Sequence, residues 1–215
     1  MSAEKGLGLV NSVMGVSRET EERLTAFHDL LRQWQARINL ISPTTVDQIW
    51  ERHIADSMQC CVLVSEIKSL VDIGSGAGFP GMVMAIVLAE AGEGRVEFIE
   101  SNGKKCAFLN AVVRETGLKA AGLDIRVHHG RVQDVLPDLE VPEVVSARAL
   151  ASLDDLLGLT QNVLERGCIG LFPKGRDHGA EITKAKENWG FELELHQSQF
   201  ESGSVLLKIT DLKRR

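Results

Sequence analysis

A glycine-rich segment that follows a short apolar run is the feature that most constrains the fold. The apolar residues 70–73 lead into Gly-Ser-Gly-Ala-Gly-Phe-Pro-Gly at 74–81, and a helix-forming run at 82–91 comes directly after it. This order predicts a strand, a tight turn and a helix N-terminus. Glycines permit positive φ and let a ligand lie against bare main chain. Such a turn at the carboxyl edge of a parallel sheet is where nucleotide-like cofactors bind.

The same glycines match two cofactor patterns. Gly76, Gly78 and Gly81 match the dinucleotide pattern G-x-G-x-x-G. Asp72 with Gly74, Gly76 and Gly78 matches the D-x-G-x-G-x-G pattern of S-adenosylmethionine-dependent methyltransferases. A third alternative is a turn that binds no ligand, although so many clustered glycines carry an entropic cost.

Two acids and a proline bear on this choice. Glu100 ends the next predicted strand and suits the ribose hydroxyls of either cofactor, so it does not discriminate. Asp72 favours the methyltransferase, because an anion repels a pyrophosphate but attracts an ammonium and a sulfonium. Pro80 removes an N–H group that could hold a pyrophosphate.

Length and composition predict a globular protein. A chain of 215 residues with 44% hydrophobic and 25% charged residues fits one α/β domain with an added helical segment. We find no apolar run near the roughly 20 residues that span a bilayer and no secretory signal pattern. Four cysteines without C-x-x-C spacing predict a reduced, cytoplasmic chain with no metal site.

The net charge of −6 disfavours a general nucleic-acid binder. Residues 61–173 carry 10 basic and 15 acidic groups, so the acidity lies in the presumed cofactor domain. A phosphate-binding surface would therefore use the ends of the chain and the loops.

Apolar periodicity predicts an N-terminal helical extension, residues 1–66, before a Rossmann-like methyltransferase domain, residues 67–215. We expect residues 1–16 to be poorly ordered and two helices at about 17–38 and 44–62. Alternating strands and helices then predict a mostly parallel sheet with helices on both faces. The predicted strands are 70–73, 96–99, 124–128, 144–147 and 168–172. The predicted helices are 80–91, 104–116, 153–164 and 180–188. Strands at 191–196 and 204–210 predict a closing antiparallel hairpin.

Several phrases, in order from about residue 30 to 176, resemble one family. They are Trp34 with Asn39-Leu40-Ile41-Ser42, Arg52-His53-Ile54-x-Asp56-Ser57, the segment 72–81, Glu100-Ser101 with Lys104-Lys105 and Phe108-Leu109, Gly130-Arg131-Val132, Ser146-Ala147-Arg148-Ala149, and Lys174-Gly175. The chain resembles the bacterial small-subunit ribosomal RNA guanine-N7 methyltransferases, also called the glucose-inhibited division protein B family.

The resemblance implies a class I S-adenosylmethionine-dependent methyltransferase with a seven-stranded sheet. It implies one guanine of 16S ribosomal RNA, near position 527, as substrate. We expect this RNA to be bound within the small ribosomal subunit or an assembly intermediate, and free RNA is the alternative. The residues it implies for cofactor binding are Asp72, Gly74, Gly76, Gly78, Phe79, Glu100, Val132, Gln133 and Arg148. Gln133 stands where the family usually has Glu, so the side chain that holds the adenine stays open.

Guanine N7 carries a free lone pair, so its methylation needs neither a general base nor a covalent nucleophile. The enzyme must align the reacting atoms and stabilise the charge that moves onto the base. Arg148 follows the fourth strand, at the usual reaction face. We interpret it as a contact to guanine O6, a phosphate or the cofactor carboxylate; the alternative is an ion pair with Asp154 or Asp155.

Five residues are candidates for RNA binding, each with an ordinary structural alternative. They are Asn39, His53, Lys104, Lys105 and Lys174. His53 is either a wall of the guanine pocket or a hydrogen-bonded core histidine. Asn39 either contacts a base or ends the first helix. The lysines contact phosphates or are simply solvated.

Three other functions compete with the RNA methyltransferase. They are a methyltransferase of the same fold that acts on a small molecule or protein, a nicotinamide-dependent oxidoreductase, and a ribosome-binding protein without catalysis.

Overall fold

The computed structural model describes residues 1–64 and 66–215 and contains one seven-stranded sheet. The strands are β1 Ser69–Ile73, β2 Gly94–Glu100, β3 Leu123–His129, β4 Val144–Ser146, β5 Ile169–Lys174, β6 Trp189–Gln197 and β7 Val205–Arg214. Their order across the sheet is β3-β2-β1-β4-β5-β7-β6. The first five strands pair in parallel, and β7 pairs antiparallel with β5 and β6. The predicted sheet and its closing hairpin are confirmed.

The helices lie before the sheet and between its strands. They are α1 Ala3–Val13, α2 Arg18–Gln35, α3 Asp56–Leu63, α4 Gly81–Leu88, α5 Gly103–Glu115, α6 Val132–Val135, α7 Leu153–Leu164 and α8 His178–Asn188. Short 3-10 helices cover Pro43–Gln48, Ala89–Ala91 and Leu136–Asp138, and a π-helix covers Ile49–Ala55. In the described ranges, no helix combines the length and apolar character needed to cross a membrane.

The topology places the site. The order of β1 to β5 puts β1 and β4 side by side at the centre, with β2 beyond β1. From β1 the chain adds β2 and β3 on one side of the sheet, and it then returns to add β4 and β5 on the other side. At such a reversal of strand order a crevice opens at the carboxyl ends of the strands. The glycine segment lies there because it directly follows β1.

The N-terminal helices pack on the helices of the sheet through aromatic side chains. Phe27 of α2 is fully buried, with its ring centroid 5.2 Å from that of Phe79 and 6.4 Å from that of Phe108 on α5. Trp34 packs its ring edge against Phe108 at 5.7 Å. The apolar face predicted for α2 therefore closes one side of the main core.

The expectation of poor order at residues 1–16 is wrong, because α1 occupies Ala3–Val13. Its side towards the core contains Gly6 and Val10, which are both buried, so a glycine weakens the apolar pattern of this helix. A Cβ on Gly6 would lie 2.2 Å from Cδ2 of Trp50, which is buried and stacks on His28 at 4.9 Å. Trp50 is thus held between α1 and α2.

The single helix expected at 44–62 is also wrong. The chain forms a 3-10 helix, then the π-helix Ile49–Ala55, then α3. The backbone N–H of Asp56 reaches the carbonyl of Glu51, five residues earlier, which gives the wider turn. Apolar spacing alone cannot distinguish this wider turn from a regular α-helix.

Two substitutions in α1 test the packing of Gly6. Both Gly6→Ala and Gly8→Ala raise helix propensity, by up to about 1 kcal/mol each. A Cβ on Gly6 would collide with Trp50, whereas a Cβ on Gly8 meets nothing within 4 Å. We expect Gly6→Ala to lower the free energy of unfolding by about 1–3 kcal/mol and Gly8→Ala to raise it slightly. Urea denaturation measures both, and equal effects of the two would contradict the packing of α1.

Candidate active site

A cleft of about 530 Å³ opens where the carboxyl ends of β1, β4 and β5 meet the π-helix and the β6–β7 loop. Its volume is within the roughly 300–1,000 Å³ usual for small-molecule sites. The predicted site residues in its lining are His53, Gly74, Gly76, Phe79, Lys105, Arg148 and Lys174. Sequence analysis therefore brought together residues from five separate elements.

The glycine turn needs its glycines for backbone conformation. Gly74, Gly76 and Gly78 have φ of 61°, 55° and 87°, values that disfavour side chains. A Cβ on Gly76 would meet only the Gly74 carbonyl oxygen, at 3.7 Å, so the space above it is open. A Cβ on Gly78 would lie 2.8 Å from that of Met82, so this glycine also packs the turn on α4.

Glu100 holds the turn from the neighbouring strand. Its Oε2 accepts a hydrogen bond from the Gly76 N–H at 2.8 Å, and its Oε1 accepts one from the Asn102 N–H at 2.7 Å. Each carboxylate oxygen keeps a second lone pair, so Glu100 can also accept from a diol such as a ribose. The side chain is 6% exposed, at the end of β2.

Asp72 lies under the turn. It is 1% exposed, and the Ser146 hydroxyl donates to its Oδ1 at 2.6 Å, which ties β1 to β4. Burial raises the pKa of Asp72 to about 6. A Cβ on Gly81 would lie 2.4 Å from its Cγ, so α4 begins directly against this carboxyl. A direct contact with a cofactor ammonium stays a prediction.

Val132 and Gln133 begin α6, beyond the carboxyl end of β3. Val132 is buried and Gln133 is exposed. The Gly130 N–H donates to the Glu100 carbonyl at 3.1 Å, which keeps this segment beside the end of β2. Val132 and Gln133 therefore lie on the Glu100 side of the glycine turn. Their contact with the adenine of a nucleoside bound at Glu100 stays a prediction.

Arg148 is held by the π-helix. One terminal nitrogen, Nη2, donates to Nδ1 of His53 at 2.9 Å, and Nη1 donates to the Arg52 carbonyl at 3.4 Å. Nη1 lies 4.0 Å from a carboxylate oxygen of Asp56. The guanidinium carbon lies 4.8 Å from the ring centroid of Phe79, a cation–π distance.

The alternative ion pairs of Arg148 are not formed. Asp154 instead accepts hydrogen bonds from Asn188 and Trp189, and Asp155 accepts from Ser152 at the start of α7. The acid that the structure brings near Arg148 is Asp56, from the other end of the sequence.

His53 is a neutral wall of the cleft. A guanidinium can only donate, so Nδ1 accepts from Arg148 and the proton resides on Nε2, which donates to Thr45 Oγ1 at 2.9 Å. Burial and the charges of Arg148 and Arg52 lower the pKa of His53 to about 3. Its ring stacks on Phe79 at 5.1 Å.

The predicted RNA-binding residues differ in their surroundings. Lys174 Nζ is paired with Glu181 at 2.7 Å and donates to the Ala151 carbonyl at 2.7 Å, and its side chain is 8% exposed. The simple alternative of a solvated lysine is therefore wrong for Lys174. Lys105 lines the cleft, whereas Lys104 and Asn39 are exposed beside it.

Several polar residues of the cleft had no predicted role, and Arg52, Asp56 and Glu201 are among them. Arg52 and Asp56 belong to the Arg-His-Ile-x-Asp-Ser phrase, which indicated the family but assigned no function to either residue. Glu201 forms an ion pair with Arg52 across 149 positions of sequence, and its own neighbours in the chain carry no motif. Residues 1–64 and 66–215 include no cluster of three or more His, Cys, Asp or Glu that could hold a metal ion.

The protonation of His53 can be tested directly. We expect its ring resonances to show no titration between about pH 5 and 8, because burial and Arg148 keep it neutral. Arg148→Ala removes the nearest charge and the donor to Nδ1, so it should raise the pKa of His53. NMR of the imidazole C–H groups measures both. A midpoint near 6.5 in the unsubstituted protein would contradict the assigned hydrogen bonds.

Comparisons with known proteins identify the family of this chain. The family described as rRNA small subunit methyltransferase G matches residues 20–205. The Ribosomal RNA small subunit methyltransferase G of Brucella anthropi is 46% identical over 216 residues, which cover 100% of this chain and 99% of the relative. The protein of the same name from Brucella ovis is 45% identical over 203 residues, with 94% and 93% covered.

Two solved structures share the fold at low sequence identity. An O-methyltransferase from Bacillus cereus, in complex with SAH, has a TM-score of 0.57 at 12% identity and covers 98% of this chain and 100% of that one. A variant of MtNAS in complex with S-adenosylmethionine has a TM-score of 0.60 at 14% identity and covers 86% and 72%. The match over residues 20–205 and the 46% identity to the Brucella anthropi protein place the chain in the rRNA small subunit methyltransferase G family.

Proposed function

We propose that the protein transfers a methyl group from S-adenosylmethionine to N7 of a single guanine of 16S ribosomal RNA. The observation that carries the proposal is the placement of Arg148 at the end of β4. There it faces the same cleft as the glycine turn, while the neighbouring His53 is held neutral. This arrangement offers N–H donors that can align the guanine, which N7 methylation requires, and no base, which it does not require.

The cofactor fits the residues at the carboxyl ends of β1 and β2. Open space above Gly76 leaves room for a ligand against the main chain, and Glu100 supplies acceptors for ribose hydroxyls. When bound there, S-adenosylmethionine supplies a methyl group activated by its sulfonium. Gly74 and Gly78 hold the turn in the conformation that this binding needs.

The protein's own groups then bind and orient the guanine. N7 attacks with its free lone pair, so no proton has to leave beforehand. His53 accepts from Arg148 and donates to Thr45, so both ring nitrogens are already engaged and the ring acts as a wall. Arg148 keeps N–H groups free for O6, for a phosphate or for the cofactor carboxylate. Arg148 would not bind N7 itself, since that contact would block the reaction.

The charge of the protein favours a shaped RNA particle as the substrate. With a net charge of −6, the chain lacks the general attraction that draws basic proteins to any RNA. Arg52 and Lys174 in the cleft are already paired with carboxylates, which weakens unspecific phosphate binding further. We therefore propose the small ribosomal subunit, or an assembly intermediate of it, as the partner, and the cytoplasm as the place of action.

The proposal is tested by methyl transfer from radiolabelled S-adenosylmethionine. The substrates are small ribosomal subunits and naked ribosomal RNA from a strain that lacks the enzyme, followed by mapping of the labelled nucleotide. We expect 7-methylguanine at one site near position 527, and more label in the particle. Cofactor binding without label in either substrate would overturn the RNA assignment, and a small-molecule or protein substrate would then be the better hypothesis.

Arg148 should be essential for turnover. Arg148→Ala removes the N–H donors that align the reacting groups, and misplacement of about 1 Å can lower kcat by roughly 100-fold. Arg114→Ala on α5 is the matched control, because that arginine is exposed and paired only with Glu115. Single-turnover methylation measures both variants, with thermal unfolding as a check on folding. Near-native turnover of Arg148→Ala would show that Arg148 has only a structural role.

A further inference from the structure

The β6–β7 loop is bound to the segment that carries His53. The Ser198 hydroxyl donates to Oδ1 of Asp56 at 2.6 Å, and the Gln199 N–H donates to the Gln59 side chain at 3.0 Å. Glu201 pairs with the Arg52 guanidinium. Three contacts therefore join one loop to the π-helix and to α3, although about 140 or more residues separate the partners in sequence.

The same segment holds Arg148 on its other side. The side chain of Arg52 pairs with Glu201 of the loop, and its carbonyl oxygen accepts a hydrogen bond from Arg148. Oδ1 of Asp56 accepts a hydrogen bond from Ser198 of the loop, and Oδ2 of Asp56 lies 4.0 Å from Nη1 of Arg148. Between them, His53 accepts from Arg148. Arg52 and Asp56 thus each contact the loop and the guanidinium at once.

Ser198 organises the loop itself. Its hydroxyl oxygen accepts from the N–H groups of Phe200 at 3.1 Å and Glu201 at 3.0 Å while its proton goes to Asp56. This hydroxyl therefore sets both the shape of the loop and its attachment. Asp56 is 9% exposed, so the loss of its partner would leave a buried carboxylate less satisfied.

We propose that Ser198, Glu201 and Asp56 are positioning residues that fix the Arg148 guanidinium at the reaction face. The inference rests on the proposed function in one respect, namely that Arg148 contacts the reacting partners. None of the three residues needs to touch the substrate. They act by holding Arg52 and His53, which in turn leave Arg148 a single orientation over Phe79.

Ser198→Ala is the sharpest test, because it breaks the attachment without a change in charge. Glu201→Ala removes the ion pair with Arg52. Ser198→Thr keeps the hydroxyl and should show the native pKa of His53 and the native kcat. The matched control is Glu194→Ala on β6, in the same hairpin. The Glu194 carboxylate pairs with Lys208 at 2.9 Å, and this pair lies outside the cleft.

The first readout is the pKa of His53, measured by NMR. The charged groups that lower it are Arg148 and Arg52. Release of Arg148 and entry of water should raise the pKa of His53 towards its ordinary value in Ser198→Ala and Glu201→Ala. A purely electrostatic effect of Glu201→Ala would have the opposite sign, since the loss of a negative charge disfavours protonation. A rise in both variants therefore reports a change in geometry.

The second readout is kinetic. Misplacement of a catalytic group by about 1 Å can cost roughly 100-fold in rate, so we expect kcat to fall about 10- to 100-fold in both variants. KM for the cofactor should stay near the native value if Arg148 contacts the guanine or a phosphate, because the glycine turn and Glu100 are untouched, and it should rise if Arg148 contacts the cofactor carboxylate. Ser198→Thr and Glu194→Ala should retain native kcat and a native pKa of His53.

Each result decides a separate question. If the unsubstituted protein methylates no RNA, the proposed function fails, but the pKa of His53 still tests the positioning of Arg148. If folded Ser198→Ala and Glu201→Ala both keep the native pKa of His53, the loop only covers the cleft and the proposal is overturned. If that pKa rises while kcat stays native, the loop positions Arg148 but this position does not limit the reaction, which also overturns the catalytic part.

Discussion

The packing of the Phe79 ring is the interaction on which the rest of the site depends. The ring is 4% exposed and contacts three elements: Phe27 of α2 at 5.2 Å, His53 of the π-helix at 5.1 Å and the guanidinium of Arg148 at 4.8 Å. Phe79 itself belongs to the glycine turn. One side chain thereby fixes the helical extension, the cofactor turn and the reaction face relative to one another. A buried aromatic ring suits this role because it has few rotamers and a large contact area. These contacts around Phe79 explain why the extension is part of the site, although its helices precede the sheet in the chain.

The second constraint is electrostatic. The cleft contains several cations, yet Arg52 and Lys174 have carboxylate partners, Glu201 and Glu181. Pairing of this kind lets a protein of net charge −6 keep arginine and lysine in a part-buried cleft without the cost of isolated buried charges. It also fixes side-chain geometry before a ligand arrives, which lowers the entropic cost of alignment during the reaction. His53 fits the same logic, because a neutral ring beside two arginines avoids a third positive charge.

Sequence reasoning succeeded where the signal was local and failed where it depended on distant partners. The sheet, α7 and α2 follow from apolar periods within single segments, and the glycine turn follows from conformational needs of the backbone. The helix α1 escaped notice because Gly6, one of its two buried residues, has no side chain that would contribute to an apolar pattern. The π-helix escaped notice because one extra residue per turn leaves no distinct apolar pattern. The partners of Arg148 come from a segment that precedes the sheet, so the sequence could name this cation but not what holds it. Lys174 pairs with Glu181, seven residues later, and no motif marks this pair.

The central claim is that the glycine turn and the Arg148 face form one site for cofactor and guanine. A crystal structure of the protein with S-adenosylhomocysteine tests it most directly. The account predicts that the ribose hydroxyls lie on Glu100 and that the sulfur lies in the cleft between Gly76 and Arg148, with His53 and Phe79 still in contact. A ligand bound in the separate apolar cavity beside Met84 and Leu88, or a ligand whose sulfur points away from Arg148, would contradict it.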